Sequence, residues 1–269
     1  MIFELKNSTL FINSVKFDIP NITFIEEIGN GANAKVFLAN NNLLARKEAV
    51  KIWVPRGRQQ RVDERRFCAE VQKNAKVSFP NIAKFYDAKI EGLFYYARLE
   101  YIQGQTLELF LEHPQELVIR YMIITRVLET MALVYNACLY HGDLHTKNII
   151  INNNVPFIID FGTSLFSGAA SSQDRDCTML IDLCYRVYPE LYKFEFIVKE
   201  ELIRQGSLVA TRVLLHILPM SWHLETEISS TRDEYSCKNW QFWLGHLTEE
   251  FSFINMQNVR RFLTKHILV

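Results

Sequence analysis

Apolar and polar positions alternate in short runs over the first twenty residues, as at Val15, Phe17 and Ile19. Asn7-Ser8 and Asn13-Ser14 interrupt these runs as turns do. The pattern predicts a small β extension over 1–20, an extra strand covering a sheet edge. From Phe24 to Leu38 it reads strand, glycine-containing turn, strand, and Glu48–Trp53 is a further strand with Lys51 among apolar neighbours. Phe67, Val71 and Ala75 recur every four residues, which predicts a helix over 61–78. Two strands follow over 82–101, turning at Glu91-Gly92. Glu116–Tyr140 has the spacing of a core helix, and Ile149–Ile151 with Pro156–Ile159 form a hairpin. Another helix spans 176–187, with Cys177, Leu180, Ile181, Cys184 and Val187 on one face. Helices over 195–205, 208–218, 240–249 and 259–266 complete the chain, with Gly206 and Pro219 as breaks. Strands come first and helices afterwards, which makes the fold class α+β.

The chain's 269 residues suffice for one large or two modest domains. A composition 49% hydrophobic and 22% charged suits a globular chain with a full core. Thirty basic and thirty acidic residues cancel, so there is no global attraction to nucleic acid or to an anionic membrane. One local cluster stands out: Arg56, Arg58, Arg61, Arg65 and Arg66, at the start of the 61–78 helix. It is either a solvated face or a docking patch for an acidic or phosphorylated partner. Basic charge at a helix N-terminus opposes the macrodipole, which favours a bound anion. The five cysteines, Cys68, Cys138, Cys177, Cys184 and Cys237, show no CxxC spacing and are odd in number. Most of them read as reduced, buried and inert thiols. His216, His223, His246 and His266 show no metal spacing, and Trp222, Trp240, Phe242 and Trp243 read as core. The N-terminus lacks a signal-peptide pattern, and 121–140 carries Arg126, Glu129 and Asn136, as a buried helix does and a membrane span does not. Both features point to a cytoplasmic protein; export as an effector, by a route that leaves no such mark, stays open.

The chemistry gathers in His141-Gly142-Asp143-Leu144-His145-Thr146-Lys147-Asn148 and in Ile159-Asp160-Phe161-Gly162, on either side of the hairpin. A hairpin brings its ends together, so Asp143, Asn148 and Asp160 are expected to converge. An aspartate that orients a hydroxyl, with an asparagine and an aspartate that hold Mg²⁺, is what phosphoryl transfer from ATP requires. Upstream, the turn Gly29-Asn30-Gly31-Ala32-Asn33-Ala34 can lie over a triphosphate, because glycine lets backbone N–H groups approach the phosphate oxygens.

These stretches resemble the catalytic loop and metal motif of the protein-kinase-like superfamily. The resemblance is motif-specific from about residue 24 to 180. It implies a bilobal fold, with a small β-rich N-lobe over 21–102 and a larger helical C-lobe over 103–269. It implies ATP and Mg²⁺ as cofactors and a protein as substrate. Lys51 would hold the α- and β-phosphates and Glu70 would orient it; Glu64 is the competing, less well placed carboxylate. Gly29, Gly31 and Ala34, the last standing where kinases have a third glycine, would line the phosphates. Glu100, Tyr101 and Ile102 resemble the hinge, where adenine bonds to backbone groups. Asp143 would be the catalytic base, and Asn148 and Asp160 the Mg²⁺ ligands.

Several departures bear on the acceptor. Gly142 replaces the arginine of His-Arg-Asp, which implies activity without loop phosphorylation. His145 stands where Ser/Thr kinases have a lysine; Lys147 is two residues on, and positions i and i+2 point apart. Histidine-glycine-aspartate-leucine-histidine is the style of bacterial and atypical kinases, and of aminoglycoside and choline kinases. After Gly162 the segment to Asp174 is small and polar, and the activation segment is short. Asp176 resembles the aspartate that anchors the catalytic-loop backbone. Tyr188-Pro189-Glu190 matches alanine-proline-glutamate only superficially, because a helix directly precedes it. The leading reading is a Ser/Thr protein kinase. The alternatives are a small-molecule kinase of the aminoglycoside or choline type and a pseudokinase acting as a binding module; against the latter, no catalytic position is missing.

Overall fold

The computed structural model describes residues 1–55, 62–161, 169–226 and 234–266. Its strands are β1 Phe3–Lys6, β2 Thr9–Ile12, β3 Val15–Phe17, β4 Ile22–Asn30, β5 Ala34–Asn41, β6 Arg46–Trp53, β7 Phe85–Glu91, β8 Phe94–Glu100, β9 Gln105–Thr106, β10 Ile149–Asn152 and β11 Val155–Ile158. Its helices are α1 Glu64–Asn74, α2 Leu107–Phe110, α3 Leu117–Asn136, α4 Ala169–Val187, α5 Lys199–Gln205, α6 Ser207–Thr226, α7 Glu234–Glu250 and α8 Met256–His266. The chain forms two compact units. The first holds 1–78, 82–103 and, among the described residues, 159–161; the second holds 79–81, 104–158 and the described residues from 169 onward.

The first unit is built on an antiparallel sheet in the order β4-β5-β6-β8-β7. Because side chains alternate along a strand, β6 sends Val50 and Ile52 to one face and Trp53, with Lys51, to the other. The Val50 face, with Phe24, Phe37 and Tyr96, is covered by β1-β2-β3. Residues 1–20 therefore do not form a strand on a sheet edge, as the sequence led one to expect. They form a sheet of their own laid on the face of the larger one. The reason lies in the turns. Asn7-Ser8 and Asn13-Ser14 all have φ between +46° and +66°, the conformation of tight two-residue hairpins. Two such hairpins put Leu5, Leu10, Ile12 and Phe17 on one apolar side. Phe17 sits edge-on to Phe94 and Tyr96, at 5.1 and 5.4 Å between ring centroids.

On the opposite face lies α1, which starts at Glu64 rather than 61 because Asp63 caps it, accepting from the N–H groups of Arg65 and Arg66. Of the arginine cluster, Arg56, Arg58 and Arg61 lie outside the described residues. Phe67 anchors the helix edge-on to Trp53 at 4.9 Å and to Tyr95 at 5.2 Å.

In the second unit, α3 buries Ile124, Leu128, Met131 and Tyr135, and its strongest packing is against α6, which buries Ala210, Val213, Leu214 and Ile217. Helix α6 runs through Pro219 to Thr226, where the sequence suggested a break. A proline inside a helix costs about 3 kcal/mol. Buried Leu218, Met220 and Leu224 on either side offset that penalty. Helix α4 begins at Ala169, seven residues before the predicted start. The stretch 162–168, with Gly162 and Thr163, lies outside the described residues. The expected apolar face of α4 is buried, and burial pushes the Cys177 thiol up to about 12, aided by Asp174 and Asp176, and Cys184 higher still. Cys138, by contrast, is exposed just past the end of α3. Strands β9, β10 and β11 form a small antiparallel sheet. Among the described residues no helix is long and apolar enough to cross a membrane.

The covering sheet should contribute directly to stability. Phe17→Ala is expected to lower the unfolding free energy by about 3 kcal/mol. Val15→Ala, on the exposed side, should change it by less than about 0.5 kcal/mol. Urea unfolding of the two variants checks this; equal effects would show that residues 1–20 pack on nothing.

Candidate active site

In the first unit, Phe67, Glu70, Val71 and Asn74 fall at i, i+3, i+4 and i+7 of α1, a single helical stripe. The packing that buries Phe67 thus also delivers Glu70. Its Oε1 lies 2.6 Å from the Lys51 ammonium, which also pairs with Asp160 and stands 5.2 Å from the Trp53 ring. Lys51 and Glu70 are 13% and 12% exposed, so neither charge could remain there unpaired. Asp160 is more open, at 44%. Burial is the largest single influence on Lys51 and lowers its pKa, but Asp160 and then Glu70 together outweigh it, leaving the pKa above the ordinary 10.5. Lys51 is therefore a fixed cation. The competing carboxylate, Glu64, approaches the Tyr95 hydroxyl at 3.4 Å instead. Asp160 adopts φ +65°, a left-handed conformation that aspartate tolerates better than most residues.

Asn74 is a residue the sequence did not single out. Its amide donates to the Glu70 carbonyl at 2.8 Å and to the Phe161 carbonyl at 2.5 Å. It ties α1 to the segment carrying Asp160. Only its place on the Glu70 stripe could have signalled it.

At the glycine turn, the Gly31 N–H donates to the Ala34 carbonyl at 3.0 Å. A side chain at Gly29 would meet Val36 Cβ at 3.2 Å. Ala34 turns its methyl into the core with Trp53 and Phe67, so a phosphate could meet only its backbone. Lys35 and Glu27 pair at 2.8 Å across the stem. At the expected hinge, the Glu100 N–H donates to the Lys84 carbonyl at 2.8 Å, and Tyr101 and Ile102 are half-buried.

In the second unit, α3 leads into the stretch 141–148. Asp176 of α4, fully buried, accepts the N–H groups of His141 and Gly142, each at 2.5 Å. Gly142 has φ +88°, a backbone region that favours glycine, which gives a local reason for the absence of an arginine there. The Asp143 N–H donates to His141 Nδ1 at 3.1 Å. Asn148 donates from its side-chain nitrogen to the Asp143 carbonyl at 2.9 Å, which turns its side-chain oxygen away from that bond. Lys147 pairs with Glu108 at 3.4 Å. Glu190 forms a two-armed pair with Arg120, at 2.6 and 2.8 Å. The sequence-selected residues thus divide: Lys51, Glu70 and Asp160 are gathered in the first unit, and Asp143 and Asn148 in the second.

Among the described residues no group of three or more His, Cys, Asp or Glu stands ready for a metal. Mg²⁺ is ordinarily held by one or two carboxylates with phosphate and water supplying the rest, and Asp160 in the first unit, like Asn148 in the second, offers the hard oxygen donor that suits that ion.

A family model described as the protein kinase domain matches residues 22–191, and the chain belongs to that family. Its β-rich first unit and helical second unit are the α+β class the sequence implied. Among its relatives is the serine/threonine-protein kinase PrkC of Bacillus subtilis, 31% identical over 142 residues, which are 50% of this chain and 21% of that protein. The probable serine/threonine-protein kinase YbdM of the same organism is 26% identical over 162 residues, 59% of this chain and 60% of YbdM. A probable serine/threonine-protein kinase of Clostridium acetobutylicum is 26% identical over 149 residues, 54% of this chain and 23% of the relative. The chain thus spans less than two thirds of each of these relatives.

The Lys51 pKa, raised in the folded state, makes a pH prediction. Its charged form stabilises the fold fully below the unfolded value of 10.5, and that stabilisation is lost as pH climbs above it. The difference in unfolding free energy between wild type and Lys51→Met should be constant from pH 7 to about 10 and shrink above that. A rise in wild-type stability relative to Lys51→Met between about pH 7 and 9 would instead mean that burial prevails and the pKa is depressed.

Proposed function

We propose that this chain is an ATP- and Mg²⁺-dependent protein kinase that transfers the γ-phosphoryl group to serine or threonine hydroxyls of a protein. The observation that carries the reading is the Lys51–Glu70 pair at 2.6 Å with Asp160 on the same ammonium. A cation held this way is set to meet phosphate oxygens. The names of the relatives favour a protein acceptor.

In this reading Lys51 binds the α- and β-phosphates, and Glu70 keeps its ammonium aimed. Backbone N–H groups between Gly29 and Ala34 cover the phosphates. Backbone groups of Glu100 and Ile102 receive the adenine. Asp143 accepts the hydrogen bond of the acceptor hydroxyl and orients its oxygen toward the γ-phosphorus. Asp160 in the first unit and Asn148 in the second would each offer Mg²⁺ an oxygen, a carboxylate and a side-chain amide respectively. The chemistry the ion would supply is to offset phosphate charge. Positioning and electrostatics do most of the catalysis in a loose phosphoryl-transfer transition state, so this small set suffices. The first unit, with 1–20 as its extension, serves as the nucleotide-binding lobe and the second as the acceptor lobe. A cytoplasm supplies both ATP and Mg²⁺, and the reading places the chain there.

The test is transfer of label from γ-labelled ATP to a mixed protein acceptor, with sites mapped by mass spectrometry. Label on serine or threonine is expected, reduced about 10²- to 10⁴-fold in Asp143→Ala and in Asp160→Ala. Label confined to a hydroxylated small molecule, or undiminished in Asp143→Ala, would contradict the proposal.

A further inference from the structure

The Asp143 carboxylate is held from both sides within the second unit. Its Oδ1 lies 3.3 Å from Nη2 of Arg175, and its Oδ2 lies 3.4 Å from Nε2 of His145. His145 Nδ1 accepts the Lys147 backbone N–H at 3.1 Å. With Nδ1 engaged by that backbone donor, Nε2 is the ring nitrogen that faces Asp143. The Asn148 side-chain nitrogen is also 3.3 Å from Nε2. The same Asn148 nitrogen donates to the Asp143 carbonyl at 2.9 Å. His145 Nε2 thus stands beside the Asp143 carboxylate.

Arg175 contributes a permanent charge. It precedes Asp176 on α4, and consecutive helical residues are turned by about 100°. Asp176 therefore faces inward and takes the loop's N–H groups, while Arg175 follows the rim to the Asp143 side chain. One helix sets both the backbone of the loop and the direction of its aspartate. Each carboxylate oxygen has a second acceptor site, so both contacts leave room for a hydroxyl.

The geometry points to Arg175 as a positioning residue that fixes the orientation of the Asp143 carboxylate for the acceptor hydroxyl, beside His145 in a loop that has glycine at 142. This rests on the proposed role of Asp143. Arg175 is 55% exposed and Asp143 34%, and exposed ion pairs contribute little to stability, so the effect belongs in turnover rather than in folding.

Wild type, Arg175→Ala and Arg175→Lys are compared for kcat, KM for ATP and melting temperature. Crystal structures of the three record the Asp143 rotamer independently of turnover. Arg175→Ala is expected to lower kcat about 10- to 100-fold with KM and melting temperature unchanged. Arg175→Lys should retain most of the activity, and added guanidinium should restore part of it to Arg175→Ala. The Asp143 rotamer should be single in wild type and Arg175→Lys and divided in Arg175→Ala. An undivided rotamer in Arg175→Ala overturns the inference, as does a kcat within about twofold of wild type. An equal loss in both variants accompanied by a lowered melting temperature does so too. A wild type without transfer activity would fail the kinase reading, and the rotamer comparison would still decide the role of Arg175.

Discussion

A single ammonium group carries much of the first unit's functional architecture. Lys51 is nearly buried and lies between two carboxylates from separate segments, Glu70 on α1 and Asp160 after β11. A cation in that place needs partners, and satisfying it fixes where α1 sits on the sheet and where 159–161 runs. One positive charge faces two negative ones, so the cluster carries a local excess of one negative charge. Such an excess repels bare triphosphate, and a divalent cation arriving with the triphosphate would relieve that repulsion. The stripe that supplies Glu70 also supplies Phe67 to the core and Asn74 to the Phe161 carbonyl, so packing and chemistry share one face of one helix.

The second unit solves a different problem, that of holding an irregular loop still. Asp176 does so by accepting the backbone N–H groups of His141 and Gly142. Buried Tyr135 lies in its field: burial first, and then the Asp176 charge, raise its phenol well above the ordinary value. Gly142 allows the turn, at φ +88°. With a glycine there, charge beside Asp143 comes from α4 instead, through Arg175.

Much of this was legible in the sequence because it rests on local spacing. The lysine strand, the hairpin, the helix carrying Glu70 and the anchoring aspartate all follow from period and motif. What escaped depended on tertiary contacts. The pattern of residues 1–20 gave strands but not the face they cover, since the Phe24–Phe37–Tyr96 surface is assembled from distant segments. The early start of α4 was hidden by a small, polar composition that reads as loop. The continuation of α6 past Pro219 reflects burial on both sides overriding a local preference. Asn74 and Arg175 act through contacts across many residues of sequence, which no spacing within the chain reveals.

The central claim is that the Lys51–Glu70–Asp160 cluster receives ATP as its magnesium complex. Calorimetric titration of ATP into wild type and Asp160→Asn, each with Mg²⁺ and with a chelator, tests it most directly. The account predicts that Mg²⁺ tightens binding to wild type and that Asp160→Asn loses this gain, while metal-free ATP binds the variant at least as well because a repelling charge is gone. Equal affinity of wild type for ATP with and without Mg²⁺ would contradict it.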